Sequence, residues 1–332
     1  MERLVRCWYR PCPWRYLLAP LSLLFYLAVG ARRLAYRRGW RRAERLPVPV
    51  VVVGNISVGG TGKTPLTIWL AGQLRQAGWR PGIVSRGYGG RRRDSAPVRP
   101  DSNPHEVGDE PVLLAQRTGC PVWVGRQRAE AARQLLAFHP EVDVILADDG
   151  LQHYALARDV ELAVIDGERG FGNGWLLPAG PLREPPARLR SVDAVVVNGG
   201  QILPDLPVPQ FGMTLTGRRF WKLGQPETVV DADDFAGREV VALAGIGNPE
   251  RFFRTLAELG IRATPRPLPD HHRYRAADLP AGTVLMTEKD AVKCAALNPP
   301  DAWALRIDAE VALGLKRIIL DKLGSPHGPQ TA

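Results

Sequence analysis

One stretch, residues 47–78, narrows more than any other what this chain can fold into. It opens with PVPVVVV (47–53), an unbroken apolar run of the kind buried on both faces in a parallel sheet. GNISVGGTGKTP (54–65) follows at once, then the amphipathic LTIWLAGQLRQAG. Strand, glycine-rich turn and helix, in that order, frame a phosphate-binding loop. Ser57, Val58, Gly59, Gly60, Thr61 and Gly62 make the turn, and Lys63 and Thr64 close it. The glycines let backbone N–H groups face anionic oxygens, and the positive end of the helix points at the same anion. Lys63 suits the β- and γ-phosphates and the Thr64 hydroxyl suits Mg²⁺, so ATP and Mg²⁺ are the expected cofactors. Pro65 falls in the first helical turn, where its missing N–H costs little. The strict motif asks for glycine at position 57, where this chain has Ser57. The lysine that partitioning-type ATPases place before GGxGKT is replaced here by Val58.

A nucleotide loop of this type needs a carboxylate at the end of a neighbouring strand. VDVILADDG (142–150) supplies Asp148 and Asp149 at the carboxyl edge of an apolar strand, where ligands of parallel sheets bind. Either can serve the Mg²⁺ shell opposite Thr64; Asp-Asp-Gly is also good turn chemistry. Further strands are predicted at 82–85, 121–125, 161–166 and 193–197, with an amphipathic helix at 127–138. The alternation predicts an α/β fold: a P-loop NTPase-like, doubly wound, mostly parallel sheet. From about Phe211, TLTGRRFWKLG reads as paired strands serving as a connector, and a second, smaller α/β lobe follows with strands near 240–244, 283–286 and 302–307. The expected limits are 1–45 for an N-terminal anchoring segment, 46–215 for the nucleotide domain and 216–326 for the smaller lobe, with a frayed tail beyond. GIGNPERFF (245–253) lacks the third glycine of a dinucleotide fingerprint, having Glu250 there. Asn248 as helix cap and Pro249 at the first helical position explain it better.

Charge argues against a nucleic-acid partner. The chain carries a formal +10, but residues 1–45 hold eleven arginines and two glutamates, leaving 33 basic against 32 acidic residues elsewhere. A nucleic-acid enzyme would carry its basic stripe on the folded body. Instead, arginines and aromatic residues flank a fifteen-residue apolar run at 17–31 that includes Pro20. About 20 residues are needed to cross a bilayer as a helix, so this segment is expected to dip into one leaflet and meet anionic lipid, with a full span as the alternative. The arginines directly after the run oppose export as a signal peptide. Cys7, Cys12, Cys120 and Cys294 show no spacing that marks a zinc site or disulfide framework, and reduced thiols are expected.

Phosphoryl transfer to an alcohol needs a base beside the acceptor hydroxyl. Asp109 and Glu110, in VGDEP, suit either this task or a helix cap. Asp270, His271 and His272, in PDHH, suit either a dyad or a surface loop. SRGYGG places Arg86 and Tyr88 after a strand, where a guanidinium fork and a ring face suit either a phosphate and a sugar or a solvated basic loop. Exposed Trp175, Leu176 and Leu177 are expected beside Arg183 in a long loop.

Taken together, GNISVGGTGKTP, SRGYGG, VGDEP, DDGLQH, LLPAGPLREP, AGIGNPERFF, PDHH and TEKDAVK, in that order along nearly the whole chain, resemble the tetraacyldisaccharide 4′-kinases, the lipid A kinase family of Gram-negative bacteria. The resemblance implies two α/β lobes joined by a strand pair. It also implies ATP-dependent phosphorylation of the 4′-hydroxyl of a lipid A disaccharide 1-phosphate at the cytoplasmic face of the inner membrane; no obligate protein partner is expected. Lys63 and Thr64 would bind ATP and Mg²⁺, Asp148 and Asp149 would serve the metal, and Asp109, supported by His271, would activate the hydroxyl. Arg86, Tyr88, Glu110, Gln152, His153 and Arg183 are the expected substrate contacts. His272, directly after His271, leaves open which histidine partners Asp109. A membrane-tethered ATPase switch acting on a protein is the alternative reading, although it gives no purpose to the PDHH cluster or the second lobe.

Overall fold

The computed structural model describes every residue except Met1, Pro11, Pro204, Asp205, His271 and residues 327–332. The apolar runs become the strands of a nine-stranded sheet. Its first eight strands are β1 (Val50–Gly54), β2 (Pro81–Ser85), β3 (Ala96–Val98), β4 (Val122–Val124), β5 (Val144–Asp148), β6 (Val160–Asp166), β7 (Ala194–Asn198) and β8 (Gln210–Thr216). A second sheet holds β9 (Arg219–Lys222), β10 (Gln225–Asp231), β11 (Val240–Ala244), β12 (Ala263–Pro267), β13 (Thr283–Thr287) and β14 (Ala302–Leu305). β15 (Asp308–Val311) then returns to the first sheet, whose order is β15-β8-β7-β6-β1-β5-β2-β4-β3. Seven strands, β8 to β4 in that order, are parallel, and antiparallel β15 and β3 close the edges.

Nine helices complete the described chain: α1 (Glu2–Tyr9), α2 (Trp14–Arg37), α3 (Lys63–Gln76), α4 (Pro104–Val107), α5 (Asp109–Thr118), α6 (Arg128–Phe138), α7 (Pro249–Glu258), α8 (Glu288–Cys294) and α9 (Leu315–Leu323). One face of the first sheet packs on α3, α5 and α9 through Leu66, Leu70, Leu74, Leu114 and Ile319; the other packs on α6 through Ala131, Ala132 and Leu135. The helix from the GNP turn starts at Pro249 as expected. Asn248 is its N-cap position, although the Asn248 side chain makes no capping bond.

Three expectations change. β8 and β9 do not pair with each other. Met213 on β8 is buried in the first core and Phe220 on β9 in the second, so the two strands belong to different sheets. The segment that pairs with both is 302–311: Thr216 faces Asp308, Phe220 faces Leu305, and Arg306 N–H donates to Arg219 O at 2.9 Å. The lobes are thus joined by a strand pair whose two halves lie far apart in sequence. For the same reason the second sheet spans only 219–305, while Ala309, Leu315 and Ile319 are buried against the first lobe. Lastly, Cys7 is disulfide-bonded to Cys12: α1 ends at Tyr9 and the chain turns back before α2, which brings their Cα atoms to 5.1 Å. Cys120 and Cys294 are free thiols.

α2 runs for 24 residues, about 36 Å, and its span 15–37 is long and apolar enough to cross a membrane by length and composition. Its surface is divided. Leu17, Leu21, Leu23, Leu24 and Leu27 are exposed, whereas Ser22 is buried, donating to Leu176 O at 2.8 Å and accepting from Ala179 N–H at 2.9 Å. Further along, Arg33 reaches Ser191 at 2.7 Å. One side of α2 is therefore stitched to the 176–191 loop, where Leu176 is buried rather than exposed as expected.

Candidate active site

β1 ends at Gly54 and α3 begins at Lys63; between them the chain passes beside the loop that carries Arg183. Val58 N–H donates to Pro181 O at 2.8 Å, Arg183 N–H donates to Ile56 O at 2.7 Å, and Ser57 forms an antiparallel bridge with Leu182. Ser57 thus holds a sheet-like place that needs no glycine. Positive φ falls instead on Gly59 (112°) and Gly62 (97°). At Gly62 a Cβ would also lie 2.6 Å from Asn198 Nδ2, so glycine alone fits.

β5, hydrogen-bonded to β1, delivers Asp148 and Asp149 to the mouth of this loop. The two acids differ sharply. Asp148 is fully buried; its Oδ1 accepts from Thr67 at 3.1 Å, and its Oδ2 has no partner. Burial, then the nearby Glu110 carboxylate, push it up to about 7. Asp149 sits in the left-handed region at φ 47°, which aspartate tolerates better than most residues. Its carboxylate accepts from Arg183 Nη1 at 3.0 and 3.1 Å and lies 3.5 Å from Lys63 Nζ. Burial acts to raise it, but Lys63 and Arg183 prevail and hold it well below the usual carboxylate range.

The wall beyond is cationic. Gln152 donates to Asn55 O at 2.8 Å and accepts from Arg183 at 3.4 Å. Buried Arg128, at the start of α6, donates to Asp149 O at 3.1 Å, and its backbone N–H donates to His153 Nε2 at 3.2 Å. Burial, followed by the charges of Arg128, Arg158, Arg32 and Arg86, pushes His153 down to about 4. Arg86 is exposed, but its charge acts on both Arg128 and His153; Tyr88 is exposed on the same loop.

α5 forms the opposite wall. Gly108 precedes it at φ 93°, and a Cβ there would lie 2.8 Å from Tyr88 O, so SRGYGG packs directly on VGDEP. Asp109 is buried at the first position of α5, where Gly108 rather than Asp109 is the N-cap, and its Oδ1 accepts from Glu110 N–H at 3.0 Å. Asp109 and His272 line one small cavity of about 30 Å³ with Lys293. His272 Nε2 bonds Asp278 at 3.1 Å, and His271 lies outside the described residues. Glu110 is paired with Lys289 of α8, so the second lobe reaches the cleft. Burial alone would lower Lys289, but Glu110 and Asp109 outweigh it and hold the ammonium above its ordinary value.

Sequence reasoning missed Thr67, Arg128 and Lys289. Thr67 lies one helical turn beyond Thr64, on the same face of α3. Arg128 opens the helix after a sheet strand, a position that faces the ligand crevice. Lys289 stands within TEKDAVK, a motif to which sequence reasoning attached no role.

A phosphate loop between β1 and α3, two carboxylates at the end of the adjacent strand and a cationic wall define a P-loop phosphotransferase. Residues 14–324 match the family described as LpxK, Tetraacyldisaccharide-1-P 4′-kinase, and the chain belongs to that family. It is 54% identical to the tetraacyldisaccharide 4′-kinase of Dechloromonas aromatica, over 96% of this chain and 97% of that protein. Identity to the enzyme of the same name from Methylobacillus flagellatus is 52%, over 96% and 95%. The crystal structure of "apo" form LpxK from Aquifex aeolicus in complex with ATP superposes with a TM-score of 0.80 at 30% identity, covering 93% of this chain and 99% of that one.

Proposed function

We propose that this chain transfers the γ-phosphate of ATP to the 4′-hydroxyl of a lipid A disaccharide 1-phosphate at the cytoplasmic face of the inner membrane. The observation that carries this reading is the meeting of Lys63, Asp148, Asp149 and Arg183 at the end of a phosphate loop, in a member of this family.

Residues 57–64 hold the triphosphate through backbone N–H groups, with Lys63 on its outer phosphates. The donor set fits Mg²⁺: Asp148 Oδ2 is buried without a protein partner, and the buried Thr64 lies one turn before Thr67, which already bonds the same carboxylate. Asp148, Asp149 and Thr64 would hold Mg²⁺ there, and it would supply charge neutralisation on the phosphates. Asp109 accepts the proton of the acceptor hydroxyl, with His272 lining the same cavity. Arg86, Arg128, Arg183, Gln152 and His153 form the wall that receives the anionic sugar, and Tyr88 offers a ring face; Glu110, held by Lys289, completes the cleft. The exposed leucines of α2 dip into the lipid leaflet while its Ser22 side stays on the lobe, which holds the cleft beside the bilayer.

Purified protein with labelled ATP and the dispersed disaccharide should form phosphorylated lipid. Lys63→Ala should abolish transfer and weaken ATP binding, whereas Asp109→Asn should lower turnover by about 10²-fold or more with ATP binding retained. Full activity of the Lys63→Ala variant would defeat the reading.

A further inference from the structure

α7, on the second lobe, is linked to the phosphate loop through Asn198. Asn198 ends β7, is fully buried, and carries two bonds of opposite polarity. Its Nδ2 donates to Thr61 O at 3.0 Å, and its Oδ1 accepts from Arg251 Nη2 at 3.1 Å. Only this orientation of the amide satisfies a carbonyl on one side and a guanidinium on the other. Arg251 stands in the first turn of α7, and Arg254, one turn later, pairs with Glu168 of the first lobe at 2.9 Å. That second pair is half exposed and contributes little by itself. The part-buried Arg251–Asn198 bond is therefore the one that fixes how α7 sits against the loop.

The bond to Thr61 sets the direction of one peptide group. In a planar trans peptide the carbonyl and the next N–H point in opposite directions. Pinning Thr61 O outward onto Asn198 turns the Gly62 N–H inward, toward the concave side of the loop. Gly62 itself has no Cβ to keep Asn198 away. The turn before α7 passes close to the same loop: a Cβ added to Gly247 would lie 3.8 Å from Gly60 N.

We propose that Asn198 and Arg251 act as positioning residues through which the second lobe holds the phosphate loop in its nucleotide-binding form. This role presupposes that residues 57–64 hold the triphosphate. Its signature is ATP affinity that depends on a residue of the other lobe, with turnover at saturating ATP little changed.

The test measures KM for ATP, kcat and equilibrium binding of ATP with Mg²⁺ in full-length variants. Arg251→Ala is expected to raise KM and Kd for ATP about five- to tenfold, the effect of one part-buried bond acting at one remove, with kcat within about twofold. Arg251→Lys should recover part of the loss. Asn198→Asp keeps the acceptor for Arg251 but sets a carboxylate against Thr61 O, so it should weaken ATP binding although the inter-lobe bond survives. A merely structural tether would instead leave ATP affinity intact in Asn198→Asp. Arg254→Ala, which removes only the exposed pair, should leave ATP affinity unchanged. Wild-type Kd for ATP in both Arg251→Ala and Asn198→Asp overturns the proposal. Lys63→Ala separates the two readings: if it too binds ATP normally, the nucleotide site itself is misplaced, whereas loss only in Lys63→Ala rejects the relay alone.

Discussion

His153 illustrates how a neighbour's charge is written into one side chain. Its Nε2 accepts the Arg128 N–H, a bond that only the neutral ring can make, and four arginines oppose its protonation. With the folded value at about 4 against an ordinary 6.5, the unfolded chain binds more protons between those limits. The stability contribution is therefore complete above pH 6.5 and is lost as pH falls through 6.5 toward 4. Linkage over that interval amounts to about 3 kcal/mol at most, which partial exposure reduces to about 1–2 kcal/mol. Denaturant unfolding between pH 7 and 4 should show a shallower decline for His153→Gln, whose amide oxygen still accepts from Arg128, than for wild type. Parallel declines would show that the ring does not titrate in this way. The difference between adjacent Asp148 and Asp149 is of the same kind: the letters are identical, and only the packing of Thr67, Lys63 and Arg183 separates a buried, half-paired carboxyl from a doubly paired carboxylate. Sequence spacing put both at the site but had no means of dividing their roles.

At the level of elements, what sequence disclosed and what it hid follow one rule. β1, β5, β6 and β7 are buried parallel strands and therefore read as apolar runs; the order of β1, glycine turn and α3 was legible, with Pro65 in the first helical turn. β12 was not foreseen, because ATPRP is mostly exposed and carries two prolines, which only a sheet edge accepts. The pairing of β8 and β9 with 302–311 was hidden for a different reason: register between segments some 90 residues apart leaves no local mark. α2 was visible as an apolar run but not as a 24-residue helix with one side committed to the lobe. That division makes the exposed side testable alone. Leu23→Glu with Leu24→Glu should lower co-sedimentation with anionic vesicles roughly a hundredfold, from about 3 kcal/mol or more of lost apolar burial, with ATP binding unchanged. Undiminished sedimentation would place the membrane contact elsewhere.

For the molecule as a whole, the lobes are locked by ion pairs that sequence gave no reason to connect. Arg117 of α5 donates to both oxygens of Glu288 at 2.6 Å and to Ile307 O at 3.2 Å, and also pairs with Asp308. Arg117 and Glu288 are nearly buried, so removing one partner strands a charge. Arg117→Ala should cost about 3–5 kcal/mol and lower Tm on the order of 6–10 °C in a thermal melt. A shift within about 1 °C would mean that water already shares the site.

The return of Asp308–Val311 and Leu315–Leu323 to the first sheet carries a consequence for biosynthesis. The lobe whose first strand leaves the ribosome at Val50 lacks an edge strand and a covering helix until residues 308–323 are made. The second lobe, by contrast, has all its strands once Leu305 has emerged. The later-begun half of the protein is thus finished first, and a chain stopped near residue 307 would spoil the half that carries the nucleotide loop, leaving the second sheet with all its strands.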